Sequence, residues 1–239
     1  MQAGLITVGD ELLSGEVAND NATWLARQLT ERGVELGEIR VVPDRIDRIA
    51  DSVGEFSGRF DVVLVTGGLG STPDDLTLEA VAAAFDRPLE RNEAALQDAE
   101  RAVAEIKEEY PAFTFDSEAA AQFPAGAEVI PNDVGIAPGC VVENVYVLPG
   151  LPEEMKAMFE GIADRFDGEQ TARSLYTPVP ESHLHGLLTD VARKFDVSVG
   201  SYPQEECNRI RLASSDPGTL DAAVEWVREH PDFEEFEPS

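Results

Sequence analysis

The most regular apolar run in the chain is Val62-Val-Leu-Val65, four aliphatic residues without a polar interruption, as in a strand buried on both faces. It breaks abruptly into Thr66-Gly-Gly-Leu-Gly70 and Ser71-Thr-Pro73, and a helical pattern resumes at Leu76. Upstream, Gly4 to Val8 reads as a shorter buried strand that ends in a loop, Gly9-Asp-Glu-Leu-Leu-Ser-Gly15. Asn19-Asp-Asn21 then caps a helix with Trp24, Leu25 and Leu29 on one face, and Gly33 stops it. Leu36 to Val42 is a second strand. Ile46, Ile49, Val53 and Phe56 follow at the three-and-four spacing of an amphipathic helix. Strand and helix therefore alternate three times, which predicts an α/β fold with right-handed crossovers and a mostly parallel sheet.

Downstream the periodicity changes. Leu89 to Tyr110 is expected to be one long acidic surface helix, and Pro111 to Phe123 an irregular connection. A short strand within Pro124–Asn132 leads to a hairpin, Cys140–Val142 and Val145–Leu148, turning at Glu143-Asn144. Leu148-Pro-Gly-Leu-Pro152 opens a helix carrying Met155, Met158, Phe159 and Ile162, a stripe that reads as core. A boundary falls near Gly168. Residues 1–168 are assigned to the large domain, 169–230 to a small α+β domain, and 231–239 to an acidic, frayed tail.

Charge narrows the setting. The 239 residues hold 47 Asp and Glu against 18 Lys and Arg, a net charge of −29 dispersed along the whole chain. Such a surface suits a cytoplasm at molar salt, where the Debye length falls to ~3 Å, and we read the chain as that of a salt-accumulating halophile. The same charge opposes a nucleic-acid partner, and no apolar run approaches a membrane span. With no basic-apolar leader at Met1, a cytoplasmic location is expected. Cys140 and Cys207 are isolated and read as structural thiols.

The candidate chemistry lies at the strand ends. In parallel sheets ligands bind beyond the carboxyl ends of the strands. Three junctions fall there: Gly9-Asp10-Glu11, Pro43-Asp44 and Thr66 to Asp75. The glycine turn before a helix favours a phosphate through its backbone N–H groups. Asp74 and Asp75 beside it would repel a bare phosphate unless a cation lies between. We therefore expect Gly67, Gly68, Gly70 and Thr72 to orient a phosphate. Asp75, with Asp44 or Asp10 and with Asp74 alongside, would hold a divalent metal (Mg²⁺, Mn²⁺ or Co²⁺), with K⁺ as a further candidate ion.

Five motifs together resemble a family. Gly9-Asp-Glu-Leu-Leu-Ser-Gly15 with Asn19–Asn21, Thr66 to Asp75, Asn132 with Ala137-Pro-Gly139, Leu148-Pro-Gly150 and Pro152-Glu-Glu-Met155 resemble the N-terminal region of CinA, the competence/damage-inducible family. That region is a MoaB/Mog-like molybdopterin-binding domain, so the resemblance implies a three-layer MoaB/Mog-like fold followed by a small KH-like domain. It adds Gly9, Ser14, Thr66, Asn132, Gly139 and Gly150 to the ligand-binding candidates, and in Mog-type relatives Asp44 and Asp75 match the functional, catalytic pair. Ser71 departs from the family's usual proline. The resemblance implies metal-dependent hydrolysis of ADP-ribose or a related nucleotide diphosphate. The alternatives are molybdopterin binding and adenylylation in molybdenum cofactor biosynthesis, or a non-catalytic scaffold. It also implies a homo-oligomer, and no nicotinamide-nucleotide amidase activity, since that domain has no counterpart here.

Overall fold

The computed structural model describes residues 1–70 and 72–236. Ser71 and the last three residues of the expected tail lie outside the described residues. Two units are present: residues 1–30 with 35–166, and residues 31–34 with 167 onward.

The first unit is built on a six-stranded sheet. β1 (Gln2–Val8), β2 (Glu35–Val42) and β3 (Val62–Thr66) are parallel, and β3 also pairs in parallel with β8 (Val145–Leu148). Antiparallel β7 (Gly139–Val142) and β6 (Glu128–Ile130) complete the order β2-β1-β3-β8-β7-β6. All five residues of β3 are buried, as the unbroken apolar run requires of a central strand. Alternation sends Ile6, Val8, Val63 and Val65 into a core with Ile49, Val53 and Phe56 of α3 (Ile46–Arg59) and Ala80 and Val81 of α4 (Thr77–Ala84). Leu5, Leu64 and Leu148 point the other way and are fully buried. On that side α2 (Asp20–Glu31) and α7 (Pro152–Ile162) meet through Trp24 and Phe159, edge to face at 5.4 Å. The result is the expected three-layer α/β arrangement.

One side chain ties the hairpin to this core. Asn144, at the β7–β8 turn, donates to the carbonyls of Ser57 (3.1 Å) and Phe60 (2.9 Å) and accepts from the Ser57 hydroxyl (2.6 Å). It thereby satisfies the last carbonyls of α3 and fixes the turn against them.

Several local expectations are corrected. Residues after β1 form a short helix, α1 (Asp10–Ser14), ended by Gly15 at φ +77, because Gly15 supplies the left-handed stop. Leu89–Tyr110 is not one helix. Leu89–Arg91 is strand β4, and α5 (Glu93–Glu109) starts only after Asn92, whose side chain accepts from the Ala94 and Ala95 amides. The connection read as irregular holds α6 (Ser117–Ala120) and the start of β5 (Gln122–Pro124), which pairs with β4 in a separate two-stranded sheet.

The second unit is a three-stranded antiparallel sheet, β9 (Thr171–Thr177), β10 (Ser198–Pro203) and β11 (Asn208–Ser214), in the order β10-β11-β9. Helices α8 (Glu181–Phe195) and α9 (Pro217–Arg228) cover one face, where Ile210 and Leu212 meet Leu184, Leu187, Val191 and Leu220. The tail as far as Phe236 is held rather than frayed. The Phe236 amide donates to the Tyr176 carbonyl at 2.8 Å, and Arg228 pairs with Glu235.

Candidate functional site

Beyond the carboxyl ends of β1, β3 and β8 lies a cavity of about 780 Å³, within the range that takes a nucleotide-sized ligand. Its lining includes Gly9, Asp44, Thr66, Gly67, Gly68, Gly70, Asp74, Asp75 and Gly150. Nine of the expected site residues are thus brought to one place by three strand ends and the β8–α7 loop.

The glycine turn is built for close approach. Gly67 has φ +106, and a Cβ there would lie 2.3 Å from the Val8 carbonyl oxygen; Gly68 has φ +64, and a Cβ there would lie 2.4 Å from Thr77 Oγ1. The turn is pinned at both ends. The Gly67 amide donates to the Leu148 carbonyl (3.2 Å), while Thr77 donates from Oγ1 to Gly67 O (2.8 Å) and from its amide to Gly68 O (3.2 Å). Gly67 therefore has no donor to offer a ligand. Among the described residues, the amides of Gly68, Leu69 and Gly70 have no intramolecular acceptor. Three successive amides without an acceptor among the described residues, at a strand-to-helix turn, are donors suited to an anion.

The acids divide by role. Asp75 Oδ2 accepts from the Thr72 amide (2.8 Å) and hydroxyl (2.7 Å), so Thr72 clasps the loop through Asp75 instead of lining the cavity. Thr72 also holds the Asp74 carboxyl below its ordinary value. Asp44 Oδ2 accepts from the Asp10 amide at 2.7 Å. Burial, then the neighbouring charges of Asp10, Glu11 and Asp74, push the Asp44 carboxyl up, against the lowering effect of that hydrogen bond. The lining carries Glu11, Asp20, Asp44, Asp74, Asp75 and Glu154 and no Lys, Arg or His. Among the described residues, no three acidic, imidazole or thiol side chains converge on one point.

Asp10, Ser14, Asn132 and Gly139 lie outside the lining. Asn132 is fully buried and spends its amide on the protein: Oδ1 accepts from Val134 N and Gly135 N, and Nδ2 donates to Ala137 O and Glu154 Oε2. It shapes the wall carrying Val134 and Ile136 and does not face the ligand space. Gly139 is needed for packing, since a Cβ there would lie 2.3 Å from the Val147 carbonyl oxygen.

Residues absent from the expected set include Thr7, Asn21, Glu11 and Glu154, all in the lining. Asn21 Nδ2 donates to Gly150 O (2.7 Å) and approaches Thr66 Oγ1 at 3.4 Å; Thr66 in turn donates to Pro149 O at 2.8 Å. This chain of bonds fastens the start of α2 to the ends of β3 and β8. Its sequence signal, Asn19-Asp-Asn21, reads first as a helix cap, which hides the long-range partner.

Comparison with known proteins fits this arrangement. Residues 4–167 match the family model described as a probable molybdopterin binding domain, and residues 170–236 match that of the FAD synthase middle domain. A protein of Archaeoglobus fulgidus is 36% identical over 234 residues, covering 96% of this chain and 97% of that one. A CinA-like protein of a Synechococcus species is 33% identical over 240 residues; the match covers 94% of this chain and 57% of that longer protein. The crystal structure of CinA from Thermoplasma acidophilum, described as of unknown function, superposes with a TM-score of 0.60 at 33% identity, covering 70% of this chain and 99% of that one. Fold and site thus define an α/β protein of the molybdopterin-binding-domain class. Within that class the chain belongs to the CinA-like family.

Proposed function

We propose that the cavity binds a nucleotide diphosphate of the ADP-ribose type and, with a divalent cation, hydrolyses its diphosphate to release AMP. The observation that carries this reading is the row of amides at Gly68, Leu69 and Gly70, without an acceptor among the described residues and beside a lining of carboxylates that holds no basic side chain. The amides favour a phosphate; the acids oppose one unless a cation intervenes.

The donor set fits a hard divalent ion. It is all oxygen; burial first, and then the nearby Asp10, Glu11 and Asp74 carboxylates, raise the Asp44 carboxyl, and the lining holds no basic side chain to offset that charge. Because no three side chains converge, Asp44 and Asp75 would hold the ion only together with phosphate oxygens and water, as Mg²⁺ is commonly held. A cation bound there would neutralise charge developing on the phosphoryl oxygens. The chain's own part is positional. Gly68, Leu69 and Gly70 orient the phosphate, Asp75 and Thr72 keep that turn closed, and Asn21 and Thr66 fix its distance from β8.

A second reading, molybdopterin binding with adenylylation, is favoured by the description of the matched family. Both readings place a phosphate in the same cradle. The folded chain in concentrated KCl with Mg²⁺, Mn²⁺ or Co²⁺ should release AMP from ADP-ribose, and Asp75→Asn, checked for folding, should lose that turnover. Tight molybdopterin binding without ADP-ribose turnover would transfer the assignment to the second reading. A folded protein that binds neither ligand would leave a scaffold role.

A further inference from the structure

A second face of the molecule departs from the chain's prevailing charge. In the second unit the residues of β11 alternate, so that Ile210 and Leu212 enter the helix-covered core while Arg209 and Arg211 stand on the opposite face. The register places Arg209 between Tyr202 and Tyr176, and Arg211 between Gly200 and Ser174. Ser198, Ala213 and Ala172 form the next row. These nine positions hold two arginines and no carboxylate, in a chain with 47 acidic residues. Ala213 is buried, so the accessible part is the end that carries the arginines.

Neither arginine is neutralised. Eight other arginines are paired with carboxylates; Arg209 and Arg211, like Arg27, Arg45, Arg48 and Arg193, form no ion pair among the described residues, and these two lie on one face of one sheet. Arg209 Nε is shielded from solvent without an acceptor, so its charge is partly desolvated and uncompensated. Its guanidinium lies 4.8 Å from the Tyr202 ring centroid, and that half-exposed ring extends across Gly200, where a Cβ would come within 2.7 Å of it. The two arginines, one residue apart on a strand, stand ~6.8 Å from each other at Cα. Together they offer two guanidinium groups, one of them against the Tyr202 ring, beside the small residues Gly200 and Ser174, a combination that suits a planar ring bearing phosphates.

We propose that this face is a binding site for a phosphorylated nucleotide, separate from the cavity and needing no metal. A nucleic-acid strand is a poorer occupant. The turn beside the face carries Glu205 and Glu206, both exposed, which would repel the further phosphates of a polymer.

The test uses the full chain with EDTA, at the lowest KCl that keeps it folded, with ADP as the probe and calorimetry as the readout. EDTA removes divalent cations from the carboxylate-lined cavity but leaves K⁺, so ADP binding that survives chelator and is unchanged in Asp75→Asn belongs to the arginine face and stands or falls independently of the proposed hydrolysis. The expected result is one ADP site, weakened more than tenfold in Arg211→Gln and in Tyr202→Ala, and unchanged in Asp75→Asn and Arg193→Gln. Using two variants guards against Arg209, whose buried Nε makes its own replacement a risk to folding. Pyrophosphate should bind more weakly than ADP. Absence of ADP binding in chelator, binding retained in both face variants, or pyrophosphate binding as tightly as ADP would each overturn the assignment of a nucleotide site.

Discussion

Replacing Asn132 by Ala tests whether this residue works by holding the cavity wall. The wild-type amide makes four hydrogen bonds, at 2.6 Å to Glu154 Oε2, 2.9 Å to Ala137 O, 2.8 Å from Gly135 N and 3.2 Å from Val134 N. Three of these are neutral, worth about 1 kcal/mol each, and the one to a carboxylate is worth roughly 1.5–3 kcal/mol. Summed, and lowered for relaxation of the loop toward water, the loss should come to about 3–5 kcal/mol. Urea denaturation at constant KCl measures it directly. Asn132→Asp sharpens the test, because it sets a second carboxylate against Glu154 and removes the donor at the same time. At pH 7 it should be at least as damaging as Ala, and the damage should ease as pH falls into the carboxylate range. A loss below about 1 kcal/mol in Asn132→Ala, with ligand affinity unchanged, would refute the positioning argument.

Three further outcomes follow from the same geometry. Gly67→Ala meets both φ +106 and a backbone oxygen 2.3 Å from the new Cβ, so it should cost at least about 2–3 kcal/mol in thermal or urea unfolding; a change within about 0.5 kcal/mol would contradict the close approach. Asp44 has a folded pKa raised above the ordinary 3.8, so the folded state binds more protons than the unfolded one just above that value, and stability is lost as pH rises through the window. Asp44→Asn keeps an acceptor for the Asp10 amide and removes the penalty; melts should show it more stable than wild type at pH 7, with the gain gone below about pH 4, and an equal gain at both pH values would refute this. Burial pushes the Cys140 thiol up to about 12, and Cys207 is buried too, so neither should react with a thiol reagent at pH 8 until the chain is unfolded; rapid native labelling would show that the core opens.

Which parts of this structure were legible in the sequence depends on how local their causes are. The parallel strands and the helices α2, α3 and α7 announce themselves because each buries a periodic apolar face, so pattern and packing agree. The glycine turn was legible for a similar reason, since its conformational demand falls on the glycines themselves. The role of each donor was not. Gly67 looks like its neighbours in sequence, yet its amide is consumed by Leu148, eighty-one residues away in the chain. Thr72 and Asn132 are polar residues in loop motifs, and nothing local says that one bonds Asp75 and the other is enclosed beneath its own loop. Leu89–Arg91 read as helix because alanines and acids follow it; pairing with Gln122–Pro124, a contact made in space, overrides that propensity.

The claim on which the functional account rests is that the amides of Gly68, Leu69 and Gly70 receive a phosphate with a divalent cation. Amide chemical shifts of the isotopically labelled chain, recorded with ADP-ribose in the presence of Mg²⁺ and again with EDTA, test it most directly. The account predicts large shifts at Gly68, Leu69 and Gly70 with Mg²⁺, little change at Gly67, and loss of the effect in chelator. Shifts that spare these three amides, or that persist at them without a cation, would contradict it.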